Sequence, residues 1–339
     1  MKVKTKKDPD VLVIGGTRIK RGERKKLQLE VSTLFDYTEL KIPVEVIRGK
    51  EKGPVLFISG AIHGDEINGV EIVRRILKRK ILSKIKGTLI LVPVVNIFGF
   101  NNKSRYLPDR KDLNRSFPGT KKGSLASQMA YIFMKEIVSK CTHGIDLHTA
   151  AVHRTNYPQI RASLDDNIET EELAKEFGAP VIINSKLRDG SLREAARKRN
   201  VRILLFEGGQ ALRFEENVIQ VGLKGCLRVM KKIGMITSRD KYQRKPAFIA
   251  NSSYWVRAPH GGTFSAKVKI GNYVEEGDTL AVIADLFGSS RVEVVAEKSG
   301  IVVGANLLPL VTRGDAMFHI ANFDESKKVI KAVEDYFED

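Results

Sequence analysis

Between residues 54 and 233 the chain alternates short apolar runs with segments of helical period, and this alternation limits the possible folds more than any other feature. Residues 54–59 (Pro-Val-Leu-Phe-Ile-Ser), 88–95, 144–148, 180–183 and 201–207 read as strands. Helical patterns start near Ile67, at Ser124 (a capping residue, with the helix expected over 124–140), at Ser191 (191–199) and at Glu215 (215–233). Strands that are apolar throughout are buried on both faces. The expected fold is therefore α/β, a mixed, mostly parallel central sheet with helices on both faces. Residues 11–14 and 40–48 add strands before it.

Near Arg244-Lys245-Pro246 the pattern changes to short apolar strands separated by glycine turns such as Ile270-Gly271-Asn272, Glu276-Gly277-Asp278 and Arg313-Gly314-Asp315. Residues 258–283 are echoed by 300–320, and two such halves resemble a biotinyl/lipoyl-like barrel-sandwich. The hairpin between them, Asp285-Leu286-Phe287-Gly288-Ser289-Ser290-Arg291, carries no lysine, which argues against a swinging-arm carrier. The expected organisation is a catalytic unit over 1–244, a small all-β barrel-sandwich over 246–321, and a terminal helix over 322–339.

At 339 residues the chain can hold a large core and a second small domain. Its first residues are charged and lack a signal-peptide core, and no apolar run is long enough to span a membrane. The two cysteines, Cys141 and Cys226, suit a reducing compartment, so a cytoplasmic location with no membrane partner is expected. The net charge of +18 concentrates at residues 18–26 and on Arg74, Arg75, Lys78, Arg79 and Lys80. These positions suit an anion-steering surface or a solvated helix face. The second reading is preferred, because Ile72, Val73, Ile76 and Leu77 form the opposite face and no nucleic-acid motif accompanies the charge. Nucleic acid is thus not an expected partner, while a homo-oligomer stays open.

The chemistry gathers where strands end. His63 and Glu66 occupy the turn Gly60-Ala61-Ile62-His63-Gly64-Asp65-Glu66 after the first apolar run. An imidazole and a carboxylate there can face one ion, although such a pair arises by chance about once in a chain of this composition. His148 ends another strand and supplies the second imidazole that a three-ligand zinc site needs. Asp146, two residues earlier and on the same side, can orient a histidine. The competing reading of His148 is a core histidine with a satisfied hydrogen bond. Glu207 ends a third strand before Gly208-Gly209, where open α/β sheets place their ligands. It suits a general base that takes a proton from water and returns it to a leaving amine, or else an ion-pair partner of Arg213. The loop of residues 105–119 is dense in arginine, whose planar fork can bind a carboxylate or steady an oxyanion.

His63-Gly64-Asp65-Glu66, residues 112–119 (Asp-Leu-Asn-Arg-Ser-Phe-Pro-Gly), Asp146-Leu147-His148-Thr149 and Phe206-Glu207-Gly208-Gly209 occur in the order seen in succinylglutamate desuccinylases and aspartoacylases. The chain resembles that family, which is similar in fold to the zinc carboxypeptidases, and the likeness includes the C-terminal β region. The resemblance implies one zinc on His63, Glu66 and His148, with Glu207 as general base. It implies that Asn114 and Arg115 hold the substrate's α-carboxylate. The oxyanion arginine lies upstream of that pair. Arg105 fits through its Arg-Tyr-Leu-Pro-Asp context, with Arg110 the competitor in a loop longer than that of aspartoacylase, and Arg193 is a further candidate substrate contact. The expected activity is zinc-dependent hydrolysis of a small acidic N-acyl amino acid or N-acylated amine. A carboxypeptidase-like trimming of peptides is the alternative in the same chemistry, and a basic binding protein with a structural metal is the alternative in another class. His143, His153, His260 and His319 have no ligand spacing and are expected to play no part.

Overall fold

Burial of whole strands dominates the architecture. In the computed structural model, which describes residues 10–164, 168–237, 247–323, 330–333 and 335–337, the strands at the centre of the main sheet have almost no exposed residue. The described residues begin with a hairpin, β1 (Leu12–Ile14) and β2 (Thr17–Ile19), followed by two long strands, β3 (Arg24–Thr33) and β4 (Glu39–Arg48). Next come β5 (Val55–Gly60), helix α1 (Asn68–Leu77), β6 (Thr88–Val92), α2 (Ile97–Asn101), α3 (Leu125–Glu136) and β7 (His143–His148). They are followed by β8 (Arg154–Ala162), α4 (Ile168–Phe177), β9 (Val181–Asn184), α5 (Leu192–Arg197), β10 (Arg202–Gln210) and α6 (Glu216–Lys232). The C-terminal region contributes β11 (Phe248–Ala250), β12 (Ser252–Arg257), β13 (Gly262–Ala266), β14 (Tyr273–Val274), β15 (Thr279–Ala284) and β16 (Arg291–Val295). It continues with β17 (Gly300–Asn306), β18 (Leu310–Val311) and β19 (Ala316–Asn322), after which Asp335–Phe337 form a short 3-10 turn.

The main sheet runs β12-β19-β17-β8-β10-β7-β5-β6-β4-β3, with β9, β11 and β14 branching from it. Its middle, β6-β5-β7-β10, is parallel, and the flanking pairs β6-β4-β3 and β10-β8-β17-β19-β12 are antiparallel. The helices α1, α4 and α6 pack on one face around Ile72, Phe177, Phe206 and Leu223, and α3 and α5 on the other around Phe57, Phe133 and Ala195. The mixed sheet with two helical layers is thus the architecture the apolar runs call for.

Most expected elements occur, with informative differences. β6 stops at Val92, before Pro93, which has no N–H to continue the ladder. α3 is capped by Ser124, whose hydroxyl accepts from the Ser127 amide, and ends at Glu136 rather than Lys140. β3, β8 and α4 are elements that periodicity did not single out. In β8 the reason is a bulge. Between the pairs Glu207/Gln159 and Gly209/Asn156, β8 advances three residues while β10 advances two. The shift brings Asn156 and Arg154 to the face already occupied by Arg161 and Gln159, so the polar face has no strict period of two.

The β region is built from short strands, as its glycine turns suggest. β16-β15-β13-β18 form a separate antiparallel sheet, and Val256, Phe264, Leu280, Ile283, Met317 and Phe318 fill the space beneath it. The opposite layer, β17-β19-β12, hydrogen-bonds onto β8 and so extends the main sheet. The hairpin tip is ordered by Asp285, whose carboxylate accepts from the amides of Phe287, Ser289 and Ser290. The boundary at residues 244–246 lies outside the described residues, as do 324–329, 334, 338 and 339 of the expected terminal helix. No helix among the described residues is long and apolar enough to cross a membrane.

The turn after β5 is held against α2 at close range. A Cβ on Gly64 would collide with the backbone of Gly99 and Phe100. Gly64→Ala is therefore expected to lower stability by about 1–3 kcal/mol through overpacking, read as a reduced midpoint in urea unfolding. Unchanged stability would mean that α2 yields to the added methyl.

Candidate active site

Four strand ends and one loop converge on a cleft of about 210 Å³. The turn after β5 delivers His63 and Glu66, which are closed into a tight bend by the Glu66 amide donating to the His63 carbonyl (3.1 Å). β7 delivers His148, and β10, its parallel neighbour, places Glu207 in register with His148. Both imidazoles present Nδ1 to one carboxylate: His63 Nδ1 lies 2.7 Å from Glu66 Oε1, and His148 Nδ1 lies 2.7 Å from Glu66 Oε2. The ligand atoms of the three residues lie within 4.8 Å of one another, and all three side chains are buried.

The far nitrogen of each histidine is also held. His148 Nε2 is 2.7 Å from Asp146 Oδ2, while the Ser59 hydroxyl donates to Asp146 Oδ1 (2.9 Å). His63 Nε2 is 3.1 Å from Asp112 Oδ1. Asp112 also accepts from the Asn114 amide (2.7 Å) and from Arg105 Nη2 (3.0 Å), which ties the arginine loop to the His63 turn. Arg105 Nη1 reaches Glu66 Oε1 and His63 Nδ1, each at 3.1 Å.

This arrangement attracts positive charge. Burial pushes the Glu66 carboxyl up, but the two imidazoles outweigh it and hold the group far below the ordinary carboxylate range. Burial opposes charge on His148, yet Asp146 and Glu66 raise it well above an ordinary imidazole. His63 is raised in the same way, with burial offset by Glu66 and Asp112. Two nitrogens and a carboxylate oxygen facing one another, with each imidazole steadied from behind by another carboxylate, are a donor set suited to a divalent metal ion. The residues therefore fit a metal.

Across the cleft, Glu207 Oε2 accepts from Asn156 Nδ2 (2.8 Å) and pairs with Arg161 Nε (3.3 Å); these two, rather than Arg213, are its partners. Asn114 is buried, and its Oδ1 accepts from the Leu192 amide (2.9 Å). Arg115 Nη1 donates to the Asn114 carbonyl at 2.6 Å. Arg193 is desolvated beside Arg161, pushing its pKa down to about 10, and its Nη1 has no hydrogen-bond partner among the described residues.

Of the residues singled out in the sequence, the fold brings His63, Glu66, Arg105, Asn114, Arg115, His148, Arg193 and Glu207 to this cleft. It does not bring Arg110, which is exposed in a left-handed turn (φ +57°) with its amide on the Leu107 carbonyl. Arg154, Asn156, Arg161, Arg188 and Trp255 also line the cleft and were not foreseen. The available signal was the polar spacing Arg154-x-Asn156, which the bulge at Pro158 cuts short, and Trp255, the chain's one tryptophan.

A three-residue set suited to a metal at the strand ends of a mixed α/β sheet, with a carboxylate opposite and guanidinium groups around it, defines the class of architecture. A model of the succinylglutamate desuccinylase/aspartoacylase catalytic domain matches residues 52–233, more than half of the chain, and the protein belongs to that family. It is 28% identical over 298 residues to the N-alpha-acetyl-L-2,4-diaminobutyric acid deacetylase of Halomonas elongata, covering 84% of this chain and 86% of that one. Among solved structures, a succinylglutamate desuccinylase/aspartoacylase from Rhodobacter sphaeroides superposes with a TM-score of 0.80 at 25% identity, covering 88% of this chain and 96% of that one. The product-bound ectoine utilization protein EutE (DoeB) from Ruegeria pomeroyi shares the fold at a TM-score of 0.80 and 23% identity, covering 88% of this chain and 95% of that one.

A metal entering the His63, Glu66 and His148 set must displace protons from histidines whose pKa is raised above the ordinary 6.5. Its affinity is therefore expected to fall as pH drops, starting above pH 6.5, by about tenfold per pH unit for each proton displaced. Calorimetric titration with Zn2+ at pH 6, 7 and 8 measures this. An affinity independent of pH, or retained in His148→Ala, would exclude these ligands.

Proposed function

We propose that the protein is a zinc-dependent amidohydrolase that removes the acyl group from a small, acidic N-acyl amino acid. The observation that carries this reading is the convergence, in one small cleft, of the His63/Glu66/His148 set, the Glu207 carboxylate and guanidinium groups suited to a carboxylate. Zinc held by those three residues supplies Lewis acidity, lowering the pKa of water towards about 7 and polarising the amide carbonyl.

The chain's own groups divide the remaining work. Arg115, with the side-chain amide nitrogen of Asn114 beside it, receives the α-carboxylate through a two-pronged contact. Glu207 takes the proton of the attacking water and later delivers it to the leaving amine nitrogen. Asn156 donates to Oε2 and Arg161 approaches the same oxygen as an ion pair, which leaves Oε1 to carry that proton. Arg105, the guanidinium in contact with the metal-binding set, faces the negative charge that grows on the carbonyl oxygen.

The acidic preference follows from the lining. Arg105, Arg115, Arg154, Arg161, Arg188 and Arg193 face the cleft, against only two lining carboxylates, Glu66 and Glu207. A second carboxylate on the substrate would satisfy the desolvated Arg193, whereas a free ammonium would be repelled. The relative from Halomonas elongata is named for an acetylated diamino acid, so the two proteins would differ in the group beyond the amide. A volume of about 210 Å³ is below the roughly 300–1,000 Å³ of sites for drug-sized ligands, and Trp255 of the β region walls one side. Both favour a small substrate over a peptide. Cys141 and Cys226 are both buried thiols, which supports a reducing, cytoplasmic setting.

Amine release from zinc-loaded protein should be measured on N-acetyl and N-succinyl amino acids, N-acylated diamines and short Glu-rich peptides. Hydrolysis of an acidic acyl amino acid is expected, with kcat lowered about 10²–10⁴-fold in Glu207→Gln and metal content unchanged. Release from peptides alone would make the enzyme carboxypeptidase-like, and full turnover in Glu207→Gln would remove Glu207 from the mechanism.

In the same assay Arg115→Ala is expected to raise KM by at least about tenfold, because an unpaired carboxylate costs on the order of 1.5–3 kcal/mol. An unchanged KM would place the carboxylate elsewhere.

A further inference from the structure

His319 has no ligand spacing and lies far in sequence from every site motif, yet the fold carries it to the back of the catalytic cleft. It sits in β19, buried, directly opposite Trp255 on β12 and Gly304 on β17. Trp255 fixes one side of it, with the two rings nearly parallel (5°) and their centroids 4.5 Å apart. Gly304 opens the other side. A Cβ there would lie 3.2 Å from the His319 Cβ and 3.0 Å from Asn156 Oδ1. A side chain at that position would crowd the imidazole against β8. With glycine, the ring spans β17 and meets Arg161 of β8, whose Nη2 lies 3.4 Å from His319 Nδ1. Arg161 in turn forms an ion pair with Glu207, its Nε 3.3 Å from Oε2 but without hydrogen-bond geometry.

We infer that His319 is a positioning residue for the hydrolysis: a neutral imidazole, supplied by the β region, whose Nδ1 accepts from Arg161 and fixes that guanidinium beside Glu207. A guanidinium carries only donors, so the nitrogen it meets must be an unprotonated acceptor, which assigns the ring proton to Nε2. The surroundings keep the ring neutral: burial, then the charges of Arg161 and Arg188, push its pKa down to about 3. A carboxylate at this position would draw Arg161 into its own ion pair and away from Glu207. A neutral acceptor orients the guanidinium and leaves its charge for the general base. The sequence from ring to ring to guanidinium to carboxylate links the β region to proton transfer, and Trp255 serves it twice, as a wall of the cleft and as the surface that sets the imidazole plane.

This inference rests on the assignment of Glu207 as general base, and two variants separate acceptor from filler. His319→Phe keeps a ring to stack on Trp255 but has no acceptor, whereas His319→Asn loses the stack but keeps an oxygen near the Nδ1 position. The expected result is a fall in kcat of about tenfold for His319→Phe with KM changed less than about twofold, and recovery to within about threefold of wild type in His319→Asn. In a Glu207→Gln background His319→Phe should add less than about twofold, because the two residues act as a unit. Full activity in His319→Phe, or a His319→Asn variant worse than His319→Phe, would show that the ring only fills space and would overturn the inference. Nitrogen-15 NMR of histidine-labelled protein at pH 7 decides the matter even if no acyl amide is turned over. A neutral ring protonated on Nε2, assigned by its loss in His319→Phe, supports the role. A charged ring or a proton on Nδ1 excludes it.

Discussion

The structure of the cleft depends on one carboxylate shared by two imidazoles. Glu66 is almost completely buried, and a carboxylate so placed is tolerable only if positive charge or donors meet both oxygens. His63 meets one oxygen and His148 the other, with the Thr149 amide adding to the second. Satisfying that single group fixes the turn after β5 relative to the end of β7. Asp146 and Asp112 extend the pattern outward, the first anchored by Ser59 on β5 and the second by Arg105 and the Asn114 amide. The loop that carries Asn114 and Arg115 is thereby placed by the same charges that form the metal-binding set. Order propagates from the most costly buried group to the most exposed one.

Opposite this anionic set stands a cationic wall, and the polarity of the cleft comes from their separation. Burial first, and then the neighbouring charges of Arg161 on β8 and Arg188 before α5, depress the Arg193 guanidinium at the start of α5. That wall lines the cleft, where an arriving anion would relieve the repulsion. Glu207 stands at the junction of the two zones. It pairs with Arg161 and accepts from Asn156 on the cationic side and lies in register with His148 on the other.

The same sheet geometry explains which residues could be read from the chain alone. His63 with Glu66, His148 with Asp146, and Glu207 each sit at the end of an apolar run, where a local pattern announces both the strand and its terminus. Asn114 and Arg115 lie in one compact polar loop. Arg105 is the better fit in that loop by its sequence context and Arg110 its competitor, and the folded turn separates them, setting the half-buried first against Glu66 and leaving the second outside the cleft. Arg161, Asn156, Trp255 and His319 had no such announcement. Their convergence requires a bulge in β8, another irregularity in β17, and the pairing of β17 onto β8 across more than 140 residues of chain.

The amino-acid sequence by itself determined the alternation of strand and helix, the mixed α/β class, and the positions of the candidate metal ligands and the candidate base. These follow from local periodicity and from chemistry placed at strand ends. Only the tertiary structure decided how the β region meets the catalytic sheet, which arginines face the cleft, and that a histidine without any motif stands behind Glu207. Strand register and the faces exposed by a bulge are settled by pairings between distant segments, and no window of sequence contains both partners of such a pair.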